Sequence, residues 1–344
     1  MIKFLVTGGA GYFGELLTHK LLERGNRVRI LDINPPAANY PGTEVIQTDI
    51  RNPDALRSAC EGIDVVFHNA AQVAMAKNRE LFWSVNRDGT KNLLESCLRC
   101  AVKKVIYTSS SAVYGIPSSN PVTEQTVPIP VEEYGRAKLA GENLCRDYAL
   151  KGLDVSIVRP CTILGHGRLG IFQILFEWIR EGKNIPVLDD GKNIYQFVHA
   201  DDFAEACIRA SLLKGANDFN CGTDRFGTMR EVLEHLCHHA GTRSEVKSLP
   251  MRPIVAAMKL SCVLGISPLG DYHGLMYGRS IYFDISKARN QLRWAPCYSN
   301  NEMFVESYEW YVANRHAVLA AADATSPHRS AVEQGALKLL HWFL

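Results

Sequence analysis

The sequence predicts an α/β protein with a doubly wound parallel sheet and a smaller lobe at its carboxyl-terminal end. Short apolar strand segments alternate with amphipathic helical segments up to about residue 160. Parallel sheets with crossover helices require this alternation. The first strand segment also runs directly into a glycine-rich turn and a helix. Beyond residue 160 the alternation becomes irregular, as expected for a separate small lobe.

Hydrophobic periodicity and turn residues define the individual segments. The predicted strands are Lys3–Thr7, Arg27–Leu31, Glu44–Gln47, Val65–His68, Lys104–Thr108 and Val155–Val158. The predicted helices are Gly14–Arg24, Pro53–Cys60, Asn86–Cys100, Glu133–Leu150, Gly170–Glu181, Asp202–Leu213 and Thr228–Ala240. Thr228 is the predicted N-cap of the last of these helices, because a threonine hydroxyl can accept a bond from a free helical N–H.

The turn after the first strand has the glycine spacing of a dinucleotide-binding turn. Glycine is needed there because the turn is tight, the backbone must approach a pyrophosphate, and the helix must pack closely on the strand. The amino end of the following helix offers free N–H groups and a positive dipole end to phosphates. The cofactor-binding residues predicted in this turn are Gly8, Gly11, Tyr12, Phe13 and Gly14.

A carboxylate at the end of the second strand indicates which dinucleotide is bound. Asp32 lies 18 residues past Gly14. In this position it can accept hydrogen bonds from both adenosine ribose hydroxyls and would repel a 2′-phosphate. No arginine follows it immediately. The sequence therefore predicts NAD rather than NADP.

These patterns divide the chain into three regions. We expect residues 1–160 to form an NAD-binding Rossmann domain, with its sheet completed by parts of 190–225. Residues 161–312 should mainly form the substrate-binding lobe. Residues 313–344 are expected to form a helical tail that packs on the body or on a second subunit, with a membrane-surface contact as the alternative.

Tyr134 and Lys138 form a candidate proton-transfer pair. They are four residues apart in a helical segment and therefore share one face. An unperturbed phenol titrates near about pH 10, which is too high for a base at neutral pH, and a neighbouring ammonium is expected to lower that pKa. Tyr134 could then exchange a proton with a substrate oxygen while a hydride moves to or from nicotinamide.

A series of motifs occurs in the order typical of the extended short-chain dehydrogenase/reductase family, and the chain resembles this family over roughly residues 1–312. The motifs are Gly8/Gly11/Gly14, Asp32, Asp49-Ile50, Asn69-Ala70-Ala71, Asn86, Thr108–Gly115 and Tyr134–Lys138. The family contains nucleotide-sugar epimerases, dehydratases and 3β-hydroxysteroid dehydrogenases.

The resemblance implies roles for several further residues. Ser110 should be the hydroxyl that holds the substrate oxygen, with Ser109 and Ser111 as the alternatives. Other expected positions follow from the same resemblance: Asp49 and Ile50 at the adenine, Ala70 and Ala71 at the pyrophosphate and ribose, and Pro160 near the nicotinamide. Asn86, His199 and Asp201 are expected to have structural roles, and no metal site is predicted.

Two positions differ from the nucleotide-sugar members that the chain resembles. Those members usually carry an asparagine where this chain has Thr162, and an arginine where it has Tyr195-Gln196. Loss of a cation opposite a diphosphate removes a contact of about 1.5–3 kcal/mol. Arg168, Arg225 or Arg279 could replace that cation, and Arg279 is the preferred candidate. The residues expected to line the substrate pocket are Val73, Met75, Arg136, Cys161 and Thr162.

The segments Arg159–Gly165 and Tyr282–Ala288 are similar to the hydroxysteroid dehydrogenase-like branch, and Ser109-Ser110 stands where dehydratases carry Asp-Glu. The first hypothesis is therefore an NAD-dependent dehydrogenase or reductase acting on a secondary alcohol or ketone. A nucleotide-sugar epimerase is the alternative, and a non-catalytic NAD-binding protein is a third reading that the Ser110, Tyr134 and Lys138 set disfavours.

The composition argues against other classes of partner. The formal net charge is only +2, there is no basic stripe, and no apolar run is long enough to cross a membrane, so neither nucleic acid nor a membrane span is expected. The ten cysteines are too few for a disulfide scaffold in 344 residues. We expect a cytoplasmic enzyme with a small hydroxy or keto substrate, possibly a sugar nucleotide. By family analogy it should be a homodimer that pairs Asn86–Cys100 and Glu133–Leu150.

Overall fold

The computed structural model describes residues 2–38, 40–73, 79–256 and 278–320. Its main sheet has seven parallel strands in the order β10-β6-β5-β4-β1-β2-β3. These strands are β1 (Lys3–Thr7), β2 (Arg27–Asp32), β3 (Glu44–Gln47), β4 (Val65–His68), β5 (Lys104–Thr108), β6 (Val155–Pro160) and β10 (Asn217–Cys221). This arrangement confirms the predicted doubly wound fold. The strand β10, which pairs with β6, comes from the range 190–225.

Helices cover both faces of the sheet. In the first 160 residues they are α1 (Tyr12–Glu23), α2 (Pro53–Cys60), α3 (Arg79–Trp83), α4 (Thr90–Arg99) and α5 (Glu133–Leu150). A π-helical turn at Ser84–Gly89 joins α3 to α4. Successive residues of β1 point to opposite faces, so Phe4 and Val6 pack in one buried cluster and Leu5 in the other.

A third buried cluster fills the smaller lobe. Its strands are β7 (Thr162–Leu164), β8 (Ile185–Leu188), β9 (Phe197–His199) and β11 (Val246–Leu249), which form the parallel pairs β7–β9 and β8–β11. The helices of the second half are α6 (Phe172–Arg180), α7 (Ala200–Leu212), α8 (Met229–Ala240), α9 (Ser286–Leu292) and α10 (Asn300–Ala320).

Most predicted segments match these bounds within two residues; the exception is the start of α4, because Asn86 lies in the π-helical turn that precedes this helix. Thr228 caps α8 in a reciprocal capping box with Glu231, as expected. The helix α7 begins earlier than predicted because His199, an unusual capping residue, accepts the Asp201 N–H. The helix α10 continues through residue 313, where a boundary was expected, and residues 321–344 of the predicted tail lie outside the described residues. Within the described ranges, no helix is both long and apolar enough to cross a membrane.

Candidate functional site

A cavity of about 510 Å³ opens at the carboxyl ends of the central strands. Open α/β sheets bind ligands at this edge. Every residue that the sequence assigned to the cofactor or to catalysis lines the cavity: Gly8, Gly11, Tyr12, Phe13, Gly14, Asp32, Asp49, Ile50, Ala70, Ala71, Ser110, Tyr134, Lys138 and Pro160. The fold therefore brings together residues that are up to 152 positions apart in the chain.

The glycine turn is too tight for side chains at two of its positions. Gly8 has a φ of +67°, in the left-handed region that glycine tolerates best. A Cβ on Gly14 would lie 2.1 Å from the Gly8 carbonyl oxygen. The helix α1 begins directly after Gly11, which offers no capping side chain. The turn thus presents backbone and a helix N-terminus to the cavity, an arrangement that suits phosphate groups.

Asp32 ends β2 beside this turn and is held by two backbone groups. Its Oδ2 accepts a hydrogen bond from the Ala10 N–H at 3.0 Å, and its Oδ1 accepts from the Asn34 N–H at 3.0 Å. These bonds fix the carboxylate at the cavity wall. Each carboxylate oxygen can accept a further bond, so Asp32 can still bind a hydroxyl.

The loop after β4 carries Ala70 and Ala71 and is held in place by the side chain of Asn86. The Asn86 side chain accepts from the Gln72 N–H at 2.7 Å and donates to the Gln72 carbonyl at 3.0 Å. This contact agrees with the structural role expected of Asn86. The buried Asn69 Nδ2 has no hydrogen-bond partner in the described residues, although it lines the cavity. It is therefore a donor available to a ligand.

The far end of the cavity contains Asp49 and Ile50. Asp49 forms an ion pair with Arg51, whose hydrogen bonds outweigh partial burial and lower the pKa of the Asp49 carboxyl. Ile50 packs so closely on the π-helical turn that a Cβ on Gly89 would lie 2.5 Å from its Cγ2. The apolar side chain of Ile50, beside the ion pair of Asp49 and Arg51, provides a surface on which a flat aromatic ring can pack.

Tyr134 and Lys138 project from α5, which begins at the capping residue Glu132. The Tyr134 hydroxyl is hydrogen bonded to Ser110. Ser109 instead donates to Glu142 at 2.6 Å, so Ser110 is the serine positioned to share an oxygen with Tyr134. Burial raises the pKa of Tyr134 to about 12, although the Ser110 hydrogen bond acts in the other direction.

Lys138 does not act on Tyr134 in the way that its spacing suggests. Its Nζ donates to the Thr108 carbonyl at 2.9 Å and lies 5.1 Å from the centre of the Tyr107 ring. Burial lowers the pKa of Lys138 to about 8. The lowering of the Tyr134 pKa that was expected from this ammonium is not seen here, because burial raises that pKa and Lys138 is not among the groups that act on it. The cation whose charge lowers the pKa of Tyr134 is that of Arg168.

Glu142 is a third residue on this face of α5, and the sequence analysis missed it. Its side chain is fully buried and accepts from Arg159 Nε and Nη2, both at 2.7 Å, and from the Ser109 hydroxyl. It therefore ties α5 to the ends of β5 and β6. The four-residue spacing from Lys138 to Glu142 was the available signal, but a surface ion pair has the same spacing.

Three of the residues predicted to line the substrate pocket lie at this cavity. Val73, Cys161 and Thr162 line the cavity, whereas Met75 lies outside the described residues. Arg136 does not line it, because two residues past Tyr134 the helix has turned by about 200°. Its guanidinium instead bonds Glu133 at the surface, at 2.6 Å.

The cations proposed to replace the missing arginine also differ from expectation. Arg168 lines the cavity, whereas the preferred candidate, Arg279, does not. Arg225 forms an ion pair with Glu302 at 3.0 Å. Gln196 is buried, and its amide binds the Thr223 carbonyl and the Phe283 N–H. It is therefore committed to the protein backbone rather than to a ligand.

His199 connects the first half of the chain to α10. Its Nδ1 accepts the Asp201 N–H at 3.2 Å, so its Nε2 carries the proton and donates to Glu306 at 2.7 Å. His166 binds the same carboxylate at 2.8 Å, and Asp201 pairs with Lys20 of α1. Ligand atoms of His166, His199 and Glu306 lie within 4.8 Å of one another. The hydrogen bonds nevertheless define a brace, in agreement with the structural role expected of His199 and Asp201.

This brace should make stability depend on pH. Although burial opposes ionisation, the two histidine hydrogen bonds lower the pKa of Glu306 to about 2, and the Glu306 hydrogen bond raises the pKa of His166 above 6.5. The Glu306 contribution is present above its ordinary pKa of 4.5 and is lost as the pH falls toward 2. The His166 contribution is present below 6.5 and is lost as the pH rises through the raised value.

We therefore expect Glu306→Gln to destabilise the protein most between about pH 4.5 and 6.5, by about 1 kcal/mol, because the groups are partly exposed. Denaturant unfolding at pH 5.5 and pH 9 measures the difference. Glu309→Gln is the matched control, since Glu309 lies on the same helix as Glu306 and pairs with the exposed His239 of α8. An equal loss at both pH values, or an equal effect of the control, would contradict the assignment.

Comparison with known proteins agrees with this geometry. The family model for the NAD dependent epimerase/dehydratase family matches residues 4–222. The uncharacterized protein y4nG of Sinorhizobium fredii is 53% identical over 99% of this chain and 86% of its own length.

More distant relatives include enzymes of two types. A UDP-glucose 4-epimerase of Mycolicibacterium smegmatis is 29% identical, over 90% of this chain and 98% of its own length. A 3 beta-hydroxysteroid dehydrogenase/Delta 5-->4-isomerase of Mycobacterium tuberculosis is 28% identical, over 90% of each chain. The solved structure of MoeE5 in complex with UDP-glucose and NAD is 25% identical, with a TM-score of 0.74 over 91% of this chain and 99% of that one. The chain belongs to the NAD dependent epimerase/dehydratase family, the extended short-chain dehydrogenase/reductases, whose members are NAD-dependent enzymes.

Proposed function

We propose that this protein is an NAD-dependent oxidoreductase that transfers a hydride between the cofactor and a secondary alcohol or ketone. The observation that carries the proposal is the placement of Tyr134 and Ser110. Their hydroxyls are hydrogen bonded to each other in the same cavity as the glycine turn and Asp32. A proton-transfer group and a dinucleotide-type turn therefore line the same cavity.

The cavity fits NAD on three observations. The glycine turn leaves no room for a Cβ at Gly14, Asn69, whose Nδ2 has no partner among the described residues, lines the cavity, and the Asp32 carboxylate is fixed at the cavity wall. The turn would hold the diphosphate, and Asp32 would hold the adenosine ribose. NAD, when bound, accepts or returns the hydride.

Asp32 should determine the preference for NAD. Asp32→Ala is expected to weaken NAD binding by about 10- to 100-fold, the loss of charge-assisted hydrogen bonds to the ribose, and to reduce discrimination against NADP. Fluorescence titration with NADH and NADPH measures both effects. Asp54→Ala is a suitable control, since Asp54 is an exposed carboxylate of α2. An unchanged NADH-to-NADPH ratio in Asp32→Ala would contradict the ribose role.

Ser110 and Tyr134 have different roles in the proposed proton transfer. Ser110 would hold the substrate oxygen, and Tyr134 would exchange the proton with it. With a pKa of about 12, the Tyr134 phenol is protonated at neutral pH and is ready to donate to a ketone oxygen. Oxidation of an alcohol requires the phenolate, so the oxidation rate should rise with pH.

Two polar contacts support a substrate other than a sugar nucleotide. The Thr162 hydroxyl bonds the Tyr195 hydroxyl at 3.0 Å, and the Gln196 amide bonds the Thr223 carbonyl and the Phe283 N–H. Neither side chain is available as a diphosphate anchor. Epimerisation of a sugar nucleotide remains the second candidate, since the fold matches the UDP-glucose complex of MoeE5 along almost the whole of that chain.

A substrate screen that follows NADH absorbance separates these functions. Secondary alcohols and hydroxysteroids would be tested with NAD, and UDP-glucose would be tested in parallel for conversion to its epimer. We expect net NADH formation with an alcohol. Interconversion of the sugar nucleotide without net NADH would favour the epimerase, and tight NAD binding without any turnover would refute both enzymatic functions.

A further inference from the structure

Arg168 is a cation of the cavity wall that has no carboxylate partner among the described residues. Among the residues that the structure describes, three cations line the cavity. Arg51 is paired with Asp49, and Lys138 is bonded to the Thr108 carbonyl. Arg168 donates only through Nε, to the Ile163 carbonyl at 2.9 Å, so in the described part of the chain its two Nη groups have no partner.

The surroundings of Arg168 make a cation without a carboxylate partner unusual at this position. Burial lowers the pKa of its guanidinium, although the charges of Tyr12 and Tyr134 act in the other direction. Its chain neighbours Leu169, Ile171 and Phe172 add apolar surface to the same wall. A half-buried cation without a counter-ion destabilises the folded state unless something compensates its charge. By contrast, the buried Arg159 is neutralised by Glu142 and Asp218.

The orientation of the guanidinium is fixed at two points. The Nε bond to Ile163 anchors one edge, and the guanidinium lies over the Tyr12 ring, 5.5 Å from its centre. The Tyr12 hydroxyl is itself bonded to the His166 carbonyl in the same loop. A guanidinium held in this way presents its remaining N–H groups as a planar fork, which matches the two oxygens of a carboxylate or phosphate.

The geometry points to Arg168 as the residue that binds an anionic group of the substrate, so that the enzyme acts on hydroxy or keto compounds carrying a carboxylate or phosphate near the reacting carbon. This inference rests on the proposed function. The cofactor diphosphate is the other possible anion, because Tyr12 is the first residue of α1. The substrate is favoured, since the guanidinium charge also acts on Tyr134 and the glycine turn already provides a phosphate site.

The test uses the full chain loaded with NADH and titrated calorimetrically with acetate, inorganic phosphate and acetamide. Acetamide has the shape of acetate without its charge. We expect acetate or phosphate to bind at least about tenfold more tightly than acetamide, and Arg168→Gln to abolish that preference. Arg168→Lys should restore part of it, because the charge returns without the fork. Arg136→Gln is the control, since Arg136 lies on α5 outside the cavity.

Three results would overturn the inference. The first is wild-type protein that binds neither anion better than acetamide, and the second is Arg168→Gln that binds anions normally. The third is a tenfold or greater loss of NADH binding in Arg168→Gln, which would assign the guanidinium to the cofactor diphosphate. Tyr134→Phe separates this inference from the proposed function, because it should keep anion binding even though turnover is lost.

Discussion

Replacement of Tyr134 by phenylalanine should reduce turnover by about 10²- to 10⁴-fold, the usual contribution of a positioned acid or base. The change removes one oxygen and leaves the ring, which packs edge-on against Phe82 with centroids 6.1 Å apart. The cavity shape should therefore persist, and the Kd for NADH should change by less than about threefold. Steady-state rates on the best alcohol of the screen, together with NADH titration, measure both quantities.

Tyr148→Phe is the matched control for this prediction. Tyr148 lies on the same helix, but its hydroxyl donates to Glu95 at 2.8 Å, away from the cavity. This variant should keep full activity. Ser110→Ala should lower turnover less than Tyr134→Phe, because the phenol remains and only a positioning hydrogen bond is lost. Undiminished turnover in Tyr134→Phe would remove Tyr134 from the mechanism.

The cofactor half of the site could be predicted because its chemistry is local. The residues from Gly8 to Gly14 form one turn, and their spacing reflects a steric requirement that the structure shows at Gly14. Asp32 follows from its place at the end of a strand that must pair with β1. In a parallel sheet, the carboxyl ends of neighbouring strands lie at the same edge, so Asp32 and the glycine turn are brought together by the sheet itself.

The proton-transfer half was predicted less well, because helical spacing identifies the residues that share a face but not their partners. Tyr134 and Lys138 do share a face, yet the Thr108 carbonyl, 30 residues away, competes for the ammonium. Arg168, which acts on Tyr134 instead, follows it by 34 residues and belongs to a loop without regular periodicity. Long-range contacts of this kind leave no pattern in the sequence.

The same reasoning explains why Glu142 was missed. It is a glutamate on an amphipathic helix, and most such residues face solvent. Its burial results from Arg159, which reaches it from β6 with a side chain that is only 1% exposed. A buried carboxylate and a buried guanidinium become compatible only when the fold places them together.

Glu142→Ala should therefore cause the largest loss of stability of any single change considered, about 3–5 kcal/mol, because it leaves Arg159 buried without its main partner. The Ser109 hydroxyl would lose its acceptor as well. The guanidinium cannot escape by losing its proton, because an arginine side chain stays protonated even when its partner is removed. Asp218, which binds Arg159 Nη2 at 2.7 Å, would compensate only in part.

Urea unfolding of Glu142→Ala, with Glu95→Gln as the control, measures this effect. Glu95 is a helical glutamate that pairs with Arg99 at the surface, so its loss should cost less than about 1 kcal/mol. The double variant Glu142→Ala/Arg159→Ala should lose much less than the sum of its single changes, since the unpaired charge is then absent. Additive losses would show that the two side chains act independently. In that case, other contacts would have to hold α5, which carries Tyr134, on the sheet.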